Sequence, residues 1–395
     1  MRAPLPVGTL LLACLLASLV CCPAFAANTS PALPRTFDKL VNKKKLLIAY
    51  FGASIMAGAG ASAPEKTSWR ALTTKHLREQ YPDATIEDVN TSIGGTGADF
   101  AAFRLGLDTL PKKPDLIFTD VYCNGPQGDL GIRCNEGIIR QIRQVLPEAE
   151  MVFTFVYTKS GLGVDQFYKK GEVPYADLHA LTAHYAIPEI DLGKVLYDAF
   201  QNRPANAPPL LVDVCHPSDA GHECYAEAVG KFLKERIVKG DTAIQPMPQP
   251  YRPNPVEKPN VLGAAELIKL GKGWKVLAQP EGWSPPWWSG VSGLTTVESS
   301  TPAELNIQFT GSMIALYWFA AFDGGQLEWS VDGAPAQRII SAHDFAISKH
   351  NRYLVWQKLN TDLSYGPHTL SIRTLLDKPE KSAGTYIGIG AIVTE

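Results

Sequence analysis

Between residues 44 and 238 the sequence switches repeatedly between short, unbroken apolar runs and longer stretches whose apolar residues recur at helical spacing. "KKLLIAYFG", "ATIEDVN", "PDLIFTDVYC" and "AEMVFTFVYT" have the length and β-branched or aromatic content of strands. Between and after them lie "TSWRALTTKHLREQYP", "ADFAAFRLGLDTL", "NEGIIRQIRQVLP", "ADLHALTAHYA" and "SDAGHECYAEAVGKFLKERI", each with an apolar helical face. In the last of these, Ser218 is placed to cap the helix and Asp219 suits its positive end. Strands without polar alternation, separated by amphipathic helices, require a parallel sheet covered on both faces. In such sheets ligands bind beyond the carboxyl ends of the strands. The small and polar residues gather there, in "GASI", "NTSIGGTG" and "YCNG".

The pattern then changes. "QPMPQPYRPNPVEKPN", residues 245–260, carries six prolines and reads as a stiff linker. Beyond it come "AELNIQFTG", "MIALYWFAAF", "QLEWSVDG", "YLVWQKL", "HTLSIRTL" and "TYIGIGAIV", with "SVDGAP" as a hairpin turn. Regular short strands with turn signals predict an antiparallel, all-β sandwich, jelly-roll-like in architecture. A formal net charge of −2, with no basic stripe, gives no electrostatic case for a nucleic-acid partner.

The first 26 residues, "MRAPLPVGTLLLACLLASLVCCPAFA", read as a secretory signal cleaved after Ala26, so the mature chain is expected outside the cytoplasm, periplasmic or extracellular. A membrane span is disfavoured by the short apolar run and Pro23; a lipoprotein anchor at Cys14 is the lesser alternative. Four cysteines then remain: Cys123, Cys134, Cys215 and Cys224. An even number in an exported protein suggests disulfides. Of the three pairings, Cys123–Cys134 and Cys215–Cys224 are preferred because each closes a short loop. No CxxC pair or tight Cys/His cluster supports a zinc site. His76, His179, His184 and His222 read as surface or helix-packing residues rather than metal ligands.

The chemistry-bearing residues fall into three pieces. Ser54 follows the first strand in "FGAS", among residues with almost no side chain, where a hydroxyl can be exposed on a tight turn. Asp213 and His216, three apart in "DVCHPSDAGH", can form a carboxylate–imidazole pair with one ring nitrogen left to accept the Ser54 proton. Gly95, with Gly94 as a neighbouring alternative, can offer a backbone N–H, and Asn124 a side-chain amide. With the N–H of Ser54 they would make a three-donor oxyanion hole.

With this order of Ser, Gly, Asn and Asp-x-x-His, the sequence resembles the SGNH (GDSL-like) hydrolase family over about residues 44–238. The resemblance implies a flavodoxin-like, three-layer α/β/α hydrolase domain over 40–240. A linker at 241–260 and the β-sandwich at 261–395, carbohydrate-binding by analogy alone, would follow. It gives Ser54 as nucleophile, His216 as base, Asp213 as its orienting acid, and Gly95 and Asn124 as oxyanion donors, with no cofactor and no metal. Two positions depart from the family: Ala53 stands where "GDS" has aspartate, and Gly125 follows Asn124 where the family has another aspartate. By position, the two preferred disulfides would brace the Asn124 and His216 loops.

Seven of the eight tryptophans lie after residue 270. Trp283, Trp287 and Trp288 in "EGWSPPWWSG" could stack on sugar rings, whereas Trp318, Trp329 and Trp356 lie in strand-like runs and are expected in the sandwich core. The combined expectation is an exported serine esterase removing O-acetyl groups from a polysaccharide or oligosaccharide through an acyl-enzyme. The alternatives are a lipase or thioesterase, a polysaccharide O-acetyltransferase, or a glycan-binding protein without catalysis. The sequence leaves the glycan and the oligomeric state open.

Overall fold

The computed structural model describes residues 31–158, 163–277, 293–296 and 302–395. The expected secretory signal and the Trp283, Trp287 and Trp288 cluster lie outside the described residues. Among the described residues the first half is built on a five-stranded parallel sheet of β1 (Lys45–Phe51), β2 (Thr85–Asn90), β3 (Leu116–Thr119), β4 (Glu150–Phe155) and β5 (Glu189–Asp191), in the order β2-β1-β3-β4-β5. Every residue of β3 and β4 is buried, as expected of strands covered on both faces.

The covering helices include α1 (Ser54–Ala57), α2 (Trp69–Gln80), α3 (Ala98–Asp108), α4 (Gly128–Val145) and α5 (Asp219–Arg236). Ser68 caps α2 and Ser218 caps α5, each side-chain oxygen accepting a first-turn N–H. Tyr50 of β1 stacks on Phe118 of β3 at 5.3 Å, and Trp69 meets both rings edge-on. Full burial of such a side chain contributes roughly 1.5–3 kcal/mol. The helices Pro34–Val41, Val164–Lys170 and Leu192–Asn202 had no counterpart in the sequence reading. The strand order reverses between β1 and β3, which puts the crevice at the ends of those two strands.

The second half is antiparallel. One sheet runs β13-β12-β15-β10-β7 and the other β14-β11-β16-β9-β8, with β6 paired to β16. The strands are β6 (Asn260–Leu262), β7 (Gly271–Lys272), β8 (Trp274–Leu277), β9 (Gly293–Thr296), β10 (Glu304–Gly311), β11 (Ile314–Ala321), β12 (Gln326–Val331), β13 (Gln337–Ile340), β14 (Arg352–Asn360), β15 (Gly366–Leu375) and β16 (Gly388–Thr394). The "SVDGAP" turn joins β12 to β13, with Asp332 and Gly333 both at positive φ.

The two halves share a core. β10 alternates buried and exposed residues, but every residue of β11 is buried. Ile314, Leu316, Trp318 and Ala320 of β11 face the sandwich interior, while Ala315 and Tyr317 join the core of the parallel-sheet half. Trp318 and Trp329 are buried in the sandwich, as expected, whereas Trp356 turns to the other half and packs on Phe100 and Phe103 of α3. The proline-rich segment is laid along α4. There the Glu136 carboxylate accepts the N–H groups of Tyr251 and Arg252, and Val256 N–H donates to the Arg133 carbonyl.

Candidate active site

Ser54 opens α1, one turn beyond the end of β1. A buried carboxylate governs that turn: Asp120, at the end of β3, accepts the Ala53 N–H through Oδ1 at 2.7 Å. Gly52 is required by this approach, because a Cβ there would lie 1.9 Å from Asp120 Oδ1. Burial pushes the Asp120 pKa up to about 8, while backbone N–H groups of Ala53 and Met56 pull it down. Asp120 thus supplies, from the neighbouring strand, a carboxyl group whose Oδ1 accepts from a turn whose own sequence has Ala53 instead. The sequence reading missed it. Its signal was an acid closing the apolar run "LIFTD".

The second piece is the loop before α5. Leu211 and Pro217 form an isolated bridge, and Val212 N–H donates to the His216 carbonyl, closing a narrow turn. Inside it Asp213 accepts three hydrogen bonds. Two come from the backbone N–H groups of Cys215 and His216, both at 2.8 Å, and one from His216 Nδ1 at 2.6 Å. What little burial Asp213 has raises its pKa, but these donors outweigh it and hold the carboxyl well below the usual range. His216 Nε2 lies 2.9 Å from Ser54 Oγ.

The two loops are tied together behind the hydroxyl. Asp219, at the start of α5, accepts from Ser62 N–H and from the hydroxyls of Ser62 and Thr67. His222 accepts the Trp69 N–H on Nδ1 and donates from Nε2 to the Ala59 carbonyl. Burial lowers the His222 pKa to about 4, so it stays neutral and makes both bonds. It packs the Ser54 loop against α5.

Gly95 and Asn124 lie on the turns after β2 and β3, on either side of the Ser54 turn in the order β2-β1-β3. Gly94, Gly95 and Asn124 are all exposed. Gly95 takes a left-handed φ of +73°, while a Cβ on Gly94 would sit 3.5 Å from that of Ser54. The glycine turn therefore abuts the serine directly. An imidazole fixed on one nitrogen by a carboxylate and facing a hydroxyl with the other can take a proton from that hydroxyl.

The expected disulfides are not formed: Cys123, Cys134, Cys215 and Cys224 are all free thiols. The local pairings fail because the partners face different surroundings. Cys123 lies among Asp120, Tyr122 and Cys215, whereas Cys134 sits on α4 with Asp99 and Lys358 near it. Cys215 is beside Asp213, while Cys224 on α5 has Glu227 and Arg203 for neighbours. Burial raises all four thiol pKa values, Cys215 to about 11, which keeps them protonated and slow to exchange. Among the described residues, the one close-set group of potential metal ligands is Asp213, Cys215 and His216, within 4.8 Å of one another. Two of those three are already bonded to each other.

Residues 50–224 match the model of the GDSL-like Lipase/Acylhydrolase family. No curated protein matches the chain. Among solved structures, a two-domain esterase (CEX) active on acetylated mannans is similar over 92% of this chain and 95% of its own, at 19% identity and a TM-score of 0.74. The same enzyme co-crystallised with mannopentaose gives the same figures, 92% and 95% coverage, 19% identity and a TM-score of 0.74. Axe2, an acetylxylan esterase from Geobacillus stearothermophilus, is similar over 48% of this chain and 93% of its own, at 18% identity and a TM-score of 0.39.

Proposed function

We propose that this chain removes O-acetyl groups from a polysaccharide, with acetylated mannan the first candidate, a reading supported by the match of residues 50–224 to the model of the GDSL-like lipases and acylhydrolases. The observation that carries the mechanism is the unbroken line Ser54 Oγ, His216 Nε2, His216 Nδ1, Asp213 Oδ2, with steps of 2.9 and 2.6 Å.

His216 takes the Ser54 proton as Oγ attacks the acetyl carbonyl carbon. The carbonyl oxygen becomes an oxyanion, held by the N–H groups of Ser54 and Gly95 and the Asn124 amide. Asp213, held ionised by its three donors, stabilises the imidazolium. Collapse of the intermediate breaks the bond to the sugar oxygen, and His216 returns the proton to that leaving group. Water, deprotonated by His216, then attacks the acetyl-Ser54 ester and releases acetate.

The openness of the site suits a substrate carried on a polymer, since Asp213, Gly94, Gly95 and Asn124 are exposed. The full-length similarity to a two-domain esterase of acetylated mannans supports the same class. The test is acetate release from acetylated mannan, acetylated xylan and octanoyl esters. Mannan turnover that disappears in Ser54→Ala, with unchanged circular dichroism, is expected. Octanoyl turnover exceeding acetyl turnover, or activity surviving in Ser54→Ala, would overturn the reading.

A further inference from the structure

The turn carrying Gly95 leads straight into α3, and the N-terminal end of α3 is held by the β-sandwich half. Asp99, the second residue of α3, is 3% exposed. Its Oδ1 accepts the Phe100 N–H of its own helix, and its Oδ2 faces β14. There it accepts Trp356 Nε1–H at 3.2 Å and Lys358 Nζ–H at 2.9 Å. The Trp356 ring also packs on Phe100, Phe103 and Tyr317, with centroid separations of 5.9, 5.4 and 4.5 Å.

On its other side the same helix end touches the site. A Cβ on Gly97, the N-cap of α3, would lie 2.0 Å from Gly125 Cα and 3.0 Å from the Asn124 carbonyl carbon. One on Gly125 would lie 2.7 Å from the Ala98 nitrogen. The backbone of α3 is thus pressed against the peptide joining Asn124 to Gly125, while Gly94, three residues upstream of Gly97, abuts Ser54.

We infer that Lys358 and Trp356 are positioning residues for the oxyanion hole: the β-sandwich half sets, through Asp99, where the Gly95 and Asn124 donors stand. This rests on the reading of Gly95 and Asn124 as those donors. A buried carboxylate deprived of its cation is left uncompensated, so it must take up another partner or turn towards water. Either response moves the first turn of α3 and the two loops packed on it. Donors aimed at a developing charge lose much of their effect when displaced by a fraction of an ångström.

The experiment compares Lys358→Met, Lys358→Arg, Asn124→Ala and the Lys358→Met/Asn124→Ala double variant in the full chain, at a temperature where circular dichroism shows all of them folded. With p-nitrophenyl acetate, Lys358→Met should lower kcat roughly tenfold with KM within about twofold, as misplaced donors weaken the transition state alone. Lys358→Arg should recover most of the loss. The double variant should fall little below Asn124→Ala, since the two changes act on one element. Lys358→Met with wild-type kcat, or losses that multiply fully in the double variant, would overturn the inference. Asn124→Ala with wild-type kcat would instead reject the underlying assignment of the oxyanion donors.

Discussion

Among the described residues two aspartate–histidine pairs share the same bond geometry, one in each half. Asp213 bonds His216 Nδ1 at 2.6 Å, and Asp332 bonds His368 Nδ1 at 2.6 Å. The two carboxylates are also alike in exposure, 47% and 46%. They differ in what the second ring nitrogen faces. His216 Nε2 meets the Ser54 hydroxyl, whereas His368 Nε2 meets the Ser364 carbonyl at 2.8 Å. A carbonyl only accepts, so it demands a proton on that nitrogen, and the Asp332 bond and the Ser364 carbonyl together raise the His368 pKa. A hydroxyl can donate as well, so His216 can serve as a base. An acid–imidazole pair is therefore no site by itself; the third partner decides between a structural cation and a proton acceptor.

Three measurements separate the two pairs. The largest effect is expected from the acids. Asp213→Asn should lower kcat by roughly 10⁴-fold, the scale seen when an orienting carboxylate is neutralised in a triad, while Asp332→Asn leaves kcat within about twofold. Steady-state kinetics on an acetyl ester decides it, and equal losses in both would erase the distinction. Next, Asn124→Ala should cost roughly 10²–10³-fold in kcat, because it removes a proposed oxyanion donor, whereas the His368 pair is proposed to serve no reaction. A change confined to KM would argue that Asn124 only binds substrate.

The smallest effect is on stability. Because the folded His368 pKa is raised, its stabilisation is fully present below the unfolded value of about 6.5 and is lost as pH rises through the folded value. Its partner sets the lower edge. The Asp332 carboxyl is held below its usual range by the His368 bond, and loses its contribution as pH falls through that lowered value. Thermal melts of wild type and His368→Gln should differ more near ~pH 5.5 than near ~pH 9. A difference that grows toward alkali would reverse the assignment.

The sequence was informative wherever function requires local spacing. Asp213 and His216 are three residues apart and were legible as a pair, and Ser54 was legible because small residues flank it at a strand end. Asp332 and His368 lie 36 residues apart and became a pair only through the sheet. Asp99 and Lys358, 259 apart, were beyond any spacing argument. The cysteines misled for a related reason. An even count says nothing of which way each thiol points, and Cys134 sits on a helix that carries it away from the Asn124 turn. One longer-range signal was present in the pattern: "ELNIQFTG" alternates, but "MIALYWFAAF" does not, and an antiparallel strand apolar on both faces must be covered on both. The second face of that strand, Ala315 and Tyr317, is covered by the parallel-sheet half.

A strand that lends one side to each core leaves no seam along which to divide the molecule. Severed at the proline-rich segment, the first half would bare Phe100 and Phe103 to water, and the second would bare Tyr317 and Trp356. Heat or denaturant should meet a single cooperative body, and the proline segment is a seam in sequence alone.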